Sequence, residues 1–256
     1  MRLLNVRRIR RRIGLLIWFS TVLLTLCSIS SFADGKKQIA ILGDSYSAYY
    51  GYIPKGYKCS YAIYGKDGQN KWNNNINSVT QMWWYPLIMS EEYKLSVNCS
   101  YSGTCFCGTK KNSNSYVLRM KKQLNGSRKA DIIFVEGGTN DSWNRRAIGK
   151  LRYENWNQKN LNRSLPAFCY ILNYLKAHYP QAQIIVLINN KYIHGRLLAG
   201  MKTACDYYEI PYLLLGNIST QSRHPDKKGQ QQIYHTVASY LENNEYVHHT
   251  SDSAGL

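Results

Sequence analysis

Five short apolar runs, separated by stretches of helical pattern, constrain the fold of this chain more than any other feature. The runs are Gln38–Leu42, Leu95–Asn98, Asp131–Val135, Gln183–Ile188 and Tyr212–Leu215. Three of them are rich in β-branched residues and almost uninterrupted, reading IAIL, IIFV and IIVLI. A strand that is buried on both faces of a parallel sheet has this composition. The pattern predicts an α/β fold: a three-layer α/β/α sandwich around a central parallel sheet of about five strands.

The segments between the runs favour helices. Ser164–His178 carries leucine and phenylalanine at 3-4-3 spacing, with Pro166 near its start and Pro180 just beyond its end, as is typical of an amphipathic helix. Thr80–Tyr93 and Asp226–Leu241 are also predicted to be helices. The adjacent tryptophans Trp83 and Trp84 are more typical of a core than of a sugar-binding surface.

One long stretch lacks periodicity. About residues 49–78 are rich in Tyr, Asn and Gly, and a loop of this length in a compact domain is usually functional or mobile. We interpret it as an insertion that forms a lid, a substrate wall or an ordinary surface excursion. The remaining chain, residues 34–256, is predicted to be one domain.

The amino terminus has the pattern of a secretory signal peptide. Six arginines and no acid occupy Met1–Arg12, the apolar run Ile13–Cys27 follows, and Ser31-Phe32-Ala33 fits a cleavage site. Cleavage after Ala33 would give a secreted or periplasmic protein with no stable membrane insertion. An uncleaved anchor is the alternative, although the apolar run is short for a membrane span.

The remaining charge is strongly basic. Removing the six arginines leaves +12 of the full net charge of +18. The lysines and arginines are scattered rather than massed on one helix face, and export argues against a nucleic-acid partner. The basic residues indicate either a solvated surface or attraction to an anionic envelope or an acidic polysaccharide.

Six cysteines remain after cleavage, and an oxidising compartment would allow up to three disulfides among them. They are Cys59, Cys99, Cys105, Cys107, Cys169 and Cys205. The sequence does not choose among the pairings, and free buried thiols are the alternative. The spacing does not fit a usual zinc site, so neither a metal nor another cofactor is expected.

Chemically useful residues follow the predicted strands. Gly43-Asp44-Ser45-Tyr46-Ser47 comes after the first, a segment ending at Gly103 after the second, Gly137–Asp141 after the third and His224-Pro225 after the fifth. The carboxyl ends of parallel strands meet at one edge of a sheet, where such folds bind ligands. A hydroxyl, glycine N–H groups, an amide and an imidazole are the groups that acyl transfer needs.

These residues resemble the four signatures of the SGNH hydrolases, the GDSL-like esterase and lipase superfamily. The signatures occur in the family's order: Gly-Asp-Ser-x-Ser at 43–47, Gly103, Gly-x-Asn-Asp at 138–141 and His-Pro at 224–225. The resemblance implies an SGNH or flavodoxin-like fold, Ser45 as nucleophile and His224 as general base. It also implies an oxyanion hole formed by the N–H groups of Ser45 and Gly103 and by the Asn140 side chain.

One position departs from the family. Its usual Asp, three residues before the histidine, is Gln221 here. Either a backbone carbonyl or the Gln221 side chain orients His224, or another acid does so, or the enzyme is weakened. Asp226 is expected to cap the last helix. Asp141 is expected to be structural, and His194 is a reserve candidate for the base.

The sequence therefore predicts an exported serine esterase that hydrolyses carboxylic esters, in particular O-acetyl esters on carbohydrate. The substrate would be a small-molecule or polysaccharide ester. A lipid or thioester hydrolase on the same fold is one alternative. A non-catalytic glycan-binding module is another, motivated by Gln221, and an acyltransferase would share the acyl-enzyme intermediate.

Overall fold

The computed structural model describes residues 35–61, 74–110 and 114–252. The strands are β1 (Lys37–Leu42), β2 (Tyr93–Asn98), β3 (Ile132–Glu136), β4 (Gln183–Ile188), β5 (Tyr212–Leu214), β6 (Thr220–Gln221) and β7 (His224–Pro225). The helices are α1 (Tyr85–Ile88), α2 (Tyr116–Gln123), α3 (Thr139–Trp143), α4 (Gln158–Leu161), α5 (Ser164–His178), α6 (Gly195–Tyr207) and α7 (Lys227–Asp252). A 3₁₀ turn covers Val79–Gln81. The predicted signal peptide and the middle of the long loop lie outside the described residues.

The first five strands form one parallel sheet in the order β2-β1-β3-β4-β5. This order confirms the predicted α/β fold with a central five-stranded sheet. The chain leaves β1 toward one side and returns through β3 on the other, so the strand order reverses between β1 and β3. A crevice opens at such a point beyond the carboxyl ends of the strands.

Both faces of the sheet are covered, which explains the continuous apolar runs. Along β1, Ala40 and Leu42 pack with residues of α2, α5 and α6, whereas Ile39 and Ile41 pack with the segment before β2 and with α7. Successive side chains of a strand point to opposite faces, so each layer of helices takes every second residue. All four of these side chains are fully buried.

The prediction of one helix over Thr80–Tyr93 is wrong. The structure has the 3₁₀ turn, the short helix α1 and then β2 in this segment. Met82 interrupts the helix because its backbone is extended, with ψ of 142°. The next residue, Trp83, donates its backbone N–H to the side-chain oxygen of Gln230 in α7 at 2.9 Å. The expectation that Trp83 and Trp84 belong to the core is confirmed, since both are fully buried.

The last helix is longer than predicted, and Asp226 caps it as expected. The Asp226 carboxylate accepts a hydrogen bond from the Gly229 N–H at 2.9 Å, and its carbonyl accepts one from the Gln230 N–H at 2.8 Å. A side-chain oxygen that accepts from the first turn satisfies a donor that the helix itself leaves unpaired. Within the described residues, no helix combines the length and the apolar character needed to cross a bilayer.

All six cysteines outside the predicted signal peptide are described, and each is a free thiol. Five are buried and Cys59 is half-buried. Burial raises the pKa of the Cys99 and Cys169 thiols to about 11, because the charged thiolate is poorly solvated there. Of the two predicted possibilities, disulfides or free buried thiols, the structure contains the second.

Candidate active site

Ser45 lies in a tight turn directly after β1, which we call the serine turn (residues 43–47). Its side chain is buried, and its Oγ lies 3.1 Å from Nε2 of His224. The turn begins at Gly43, where glycine is needed because a Cβ would lie 2.5 Å from the Ser100 hydroxyl oxygen. The fold thus brings together two residues 179 positions apart, at the distance of a hydrogen bond.

His224 is presented by a short antiparallel hairpin, β6–β7, which we call the histidine hairpin (residues 220–225). Its Nδ1 lies 3.0 Å from the carbonyl oxygen of Ser222. A carbonyl can only accept a hydrogen bond, so this contact requires a proton on Nδ1. Nε2 then bears a lone pair directed at the Ser45 hydroxyl, which is the tautomer that a general base needs.

The hairpin turns through an unusual backbone. Ser222 and Arg223 have φ values of 48° and 65°, and both signs match the type I′ turn that suits a two-residue hairpin. Non-glycine residues rarely adopt this conformation, so surrounding contacts must hold it.

Side chains from three other segments hold the hairpin. Tyr46 donates its hydroxyl proton to the Arg223 carbonyl at 3.0 Å. Tyr61 and Asn74, from the two ends of the long loop that are described, both donate to the Pro225 carbonyl, at 2.8 and 3.1 Å. These parts of the loop therefore form a wall beside His224.

Gln221, the candidate for orienting His224 through its side chain, is directed elsewhere. Its Oε1 accepts a hydrogen bond from the Asn75 N–H at 2.9 Å, which fastens the hairpin to the loop. Asp226 is also engaged elsewhere: besides capping α7, it accepts the Ser219 hydroxyl at 2.7 Å. Of the predicted alternatives, the structure places a backbone carbonyl, that of Ser222, against Nδ1.

Three aromatic rings meet the imidazole edge to face. Tyr46, Trp143 and Tyr61 have ring centroids 5.8, 5.9 and 6.5 Å from that of His224. Burial lowers the pKa of His224, and the neighbouring Arg223 charge lowers it further, while the Ser222 carbonyl opposes both effects. The neutral, proton-accepting form therefore persists to a lower pH than for an exposed histidine.

Two carboxyl groups lie under the serine turn. Asp44 and Glu136 are both buried, and one oxygen of Glu136 accepts hydrogen bonds from the Asp44 N–H and the Ser47 hydroxyl, each at 3.2 Å. Burial raises the pKa of Asp44 to about 6, and burial beside the Asp44 charge raises that of Glu136 well above its usual range. The directions of the two pKa shifts favour Glu136 over Asp44 as the member of the pair that holds a proton, which it can donate to the Asp44 carboxylate.

Asp44 connects the serine turn to the predicted oxyanion donor Asn140. One Asp44 oxygen accepts from the Asn140 side-chain amide at 2.9 Å, and the other accepts from the Tyr46 N–H at 3.1 Å. Asn140 lies in the first turn of α3, behind Gly138, whose φ is 95°. Since the amide carries two N–H groups, one bond to Asp44 fixes its plane and leaves the second for a substrate oxygen.

Gly103, the remaining predicted oxyanion donor, lies in the loop after β2 with φ of 78°. Space is open around the place where a Cβ would lie, so the backbone angle rather than crowding calls for glycine. The buried guanidinium of Arg119 ties this loop to the serine turn. It donates to the carbonyls of Cys99 and Gly43 and to the Thr104 hydroxyl.

The other singled-out residues lie outside the site. His194 is exposed at the start of α6. Asp141 is structural, since it is buried and accepts the Phe106 N–H at 2.9 Å. The described residues contain no cluster of three or more His, Cys, Asp or Glu that could hold a metal ion.

Sequence reasoning missed Glu136 and Arg119, and it gave a backbone carbonyl as one alternative without identifying Ser222. Glu136 had a visible signal, because a charged residue ends an otherwise apolar buried strand. Arg119 gave none, since a lone arginine in a helix pattern is ordinarily exposed. The Ser222 carbonyl gave none either, because every residue has one.

Known proteins share both the sequence pattern and the fold. Residues 37–241 match the family model described as GDSL-like lipase/acylhydrolase. The crystal structure of a protein from Bacteroides uniformis described as a GDSL-like lipase is 35% identical, with a TM-score of 0.73, and the match covers 82% of this chain and 97% of that one. A Bacteroides ovatus protein of the same description is 31% identical, with a TM-score of 0.71 and coverage of 81% and 99%.

A more distant structure shares the fold alone. It is a carbohydrate acetylesterase from Sinorhizobium meliloti, 14% identical, with a TM-score of 0.50 and coverage of 81% of this chain and 99% of that one. Among curated proteins, no sequence matches this chain significantly.

Proposed function

This chain belongs to the GDSL-like lipase/acylhydrolase family and is an ester hydrolase of the SGNH type; on that premise we propose that it is an exported serine esterase that removes O-acetyl groups from carbohydrate. The observation that carries the catalytic part is the chain of contacts from Ser45 Oγ through His224 to the Ser222 carbonyl, at 3.1 and 3.0 Å.

In the proposed mechanism, Ser45 Oγ attacks the carbonyl carbon of the ester while His224 Nε2 takes the hydroxyl proton. The former carbonyl oxygen becomes negative and accepts hydrogen bonds from the N–H groups of Ser45 and Gly103 and from Asn140. When the tetrahedral intermediate collapses, His224 returns the proton to the departing sugar hydroxyl. Water then attacks the acetyl-serine with His224 again as base, which releases acetate and restores Ser45.

The acetyl part of the proposal is supported by the enclosure of Ser45. Its side chain is only 2% exposed, and the rings of Tyr46, Tyr61 and Trp143 surround its partner His224. A small acyl group reaches such a nucleophile more easily than a long chain does.

The carbohydrate part is supported by partly exposed aromatic pairs on two sides of the site. Trp143 and Tyr192 have centroids 5.4 Å apart next to His224, and Tyr57 and Tyr101 have centroids 5.0 Å apart next to the Gly103 loop. Aromatic faces of this kind stack on sugar rings. The acetylesterase from Sinorhizobium meliloti provides a precedent for carbohydrate esters on this fold.

Export is proposed from the amino-terminal sequence pattern alone.

The test is acetate release by the purified protein from acetylated xylan, together with hydrolysis of p-nitrophenyl esters of increasing chain length. Ser45→Ala should lower kcat by about 10⁴-fold or more. Ser239→Ala, on an exposed position of α7, is the matched control and should leave kcat unchanged. Fast hydrolysis of long-chain esters without acetate release from glycan would favour the lipid or thioester hydrolase. Glycan binding unaffected by Ser45→Ala, with no ester turnover, would favour the binding module.

A further inference from the structure

Exposed charges are distributed unevenly between the two edges of the sheet. Each exposed carboxylate among the described residues lies at the edge that holds the amino ends of the strands, away from Ser45: Glu91, Glu92, Asp131, Glu154, Asp206, Glu209 and Glu242. Most of them directly precede a strand or end a helix that runs back from the site. Glu154 follows Tyr153, whose ring stacks at 3.8 Å on Tyr207 at the far end of α6.

The edge of the sheet that carries the candidate site has exposed cations but no exposed carboxylate among the described residues. Its described acids, Asp44, Glu136, Asp141 and Asp226, are all buried. Its exposed cations include Lys58, Arg146, Lys191 and Arg223. The described residues contain one ion pair, Lys36–Glu91, and it lies at the opposite edge. A ligand approaching Ser45 therefore meets a surface of positive charge that no exposed carboxylate of the described residues offsets.

Two of these cations line one cavity. It has a volume of about 340 Å³ and is bordered by Lys58, Tyr101, Gly103, Thr104, Asn114 and Arg146. Gly103 is the proposed oxyanion donor, so this cavity adjoins the position of the ester carbonyl. The Arg146 guanidinium hydrogen-bonds to the Cys105 side chain, which also lines the cavity, and the buried Asp141, itself bonded to the Phe106 N–H, is the described carboxylate that acts electrostatically on it.

We propose that this Lys58–Arg146 cavity binds a carboxylate of the sugar chain beside the acetylated sugar, so that the substrate class is an O-acetylated acidic polysaccharide. The proposal rests on the proposed function and names the alcohol part of the ester. A planar guanidinium pairs with a planar carboxylate, a lysine adds a mobile charge, and Tyr101 offers a ring on which a sugar can stack. A neutral glycan would leave both charges unused.

Because both cations are exposed, each contributes only a few-fold, and we expect about tenfold from the two together. The substrates for the test are O-acetylated polygalacturonate and the same polymer with its carboxylates methyl-esterified, so that only the charge differs. The readout is the ratio of kcat/KM for the charged polymer to that for the neutral one. We expect Lys58→Gln/Arg146→Gln to lower this ratio about tenfold.

The matched control is Arg128→Gln/Lys129→Gln, which removes the same charge from exposed positions at the opposite edge. It should leave the ratio within twofold of the unsubstituted protein. An equal fall in both double variants would overturn the proposal, because it would show a general field rather than a site. A ratio near one in the unsubstituted protein would also overturn it.

Binding without turnover separates this proposal from the proposed function. Ser45→Ala protein should bind trigalacturonate measurably, and adding Lys58→Gln/Arg146→Gln should weaken that binding about tenfold. Acetate release from acetylated xylan at the same rate as from the acidic polymer would retain the esterase and reject the acidic substrate. Charge-dependent binding of trigalacturonate with no ester turnover in any form would retain the acidic cavity and reject the esterase.

Discussion

Two hydrogen bonds join the serine turn to the histidine hairpin, Ser45–His224 at 3.1 Å and Tyr46–Arg223 at 3.0 Å, yet different kinds of contact hold the two segments. The serine turn is buried and side chains fix it: the Glu136 carboxyl group accepts from the Asp44 N–H beneath it, and Asn140 bonds to Asp44. The histidine hairpin lies at the surface with two strained backbone angles, and its orienting acceptor is a backbone carbonyl.

In the histidine hairpin, main-chain geometry places an acceptor against Nδ1 of His224 without an acid. A carbonyl oxygen fixes the imidazole tautomer as a carboxylate would, but it carries no full charge to stabilise an imidazolium. Its position depends on the conformation of the hairpin, which Tyr46, Tyr61 and Asn74 maintain from outside. The hairpin should therefore respond to backbone substitutions, whereas the serine turn should respond to loss of buried polar groups.

Among substitutions that leave Ser45 and His224 in place, the largest effect is expected from Ser222→Pro. Proline fixes φ near −65°, whereas Ser222 has φ of 48°, so the carbonyl must leave Nδ1. We expect kcat to fall about 10²–10³-fold, comparable to the loss of another group that orients the reacting atoms. The control is Ser222→Gly, because glycine accepts a positive φ and keeps the carbonyl. Its kcat should remain within threefold of that of the unsubstituted protein. Equal activity of the proline and glycine variants on an activated acetyl ester would refute orientation by the backbone.

Next in size is the effect of Glu136→Ala on the serine turn. The substitution leaves the Ser47 hydroxyl and the Asp44 N–H without their buried acceptor, so we expect the free energy of unfolding to fall by about 2–4 kcal/mol. Glu136→Gln can still donate to Asp44 and accept from Ser47, and it should cost less than about 1.5 kcal/mol. Urea denaturation measures both. If glutamine proved as destabilising as alanine, the proton would not reside on Glu136.

A smaller effect is expected from Arg223→Gln on the pH profile. The Arg223 charge lowers the pKa of His224, so its removal should raise that pKa. The acid limb of kcat/KM should then move to higher pH, because the base is lost to protonation earlier as pH falls. Asp44, with a pKa of about 6, titrates in both proteins, so its effect cancels when the two pH profiles are compared. The control is Arg196→Gln, at an exposed position at the start of α6, which should leave the acid limb unchanged. An unchanged acid limb in Arg223→Gln would contradict the proposed effect of the Arg223 charge on His224.

The smallest effect is expected from Gln221→Asp, which restores the residue usual in the family. Because Nδ1 already bonds to Ser222 and the Gln221 side chain is engaged with Asn75, the new carboxylate has no open contact to fill. We expect kcat/KM within threefold of the unsubstituted protein. A gain of tenfold or more would mean that the missing acid limits His224.

Sequence reasoning predicted what side-chain type and periodicity encode. Strands buried on both faces produced the runs that gave the sheet, and Ser45, Asn140 and His224 followed from their places after β1, β3 and β5. It failed over Thr80–Tyr93, where apolar spacing resembled a helix but Met82 is extended and Trp83 bonds to α7. A tertiary contact determines the structure of that segment, and a backbone carbonyl determines the orientation of His224. Residue types along the sequence reveal neither contact.

The most direct test of the account is the tautomer of His224, measured from the ¹⁵N chemical shifts of its imidazole in the resting protein at a pH above its pKa. His224→Gln assigns the signals. The account predicts a protonated Nδ1, bonded to the Ser222 carbonyl, and an unprotonated Nε2 facing Ser45. A predominant Nε2–H tautomer would contradict it, because that form cannot accept the Ser45 proton.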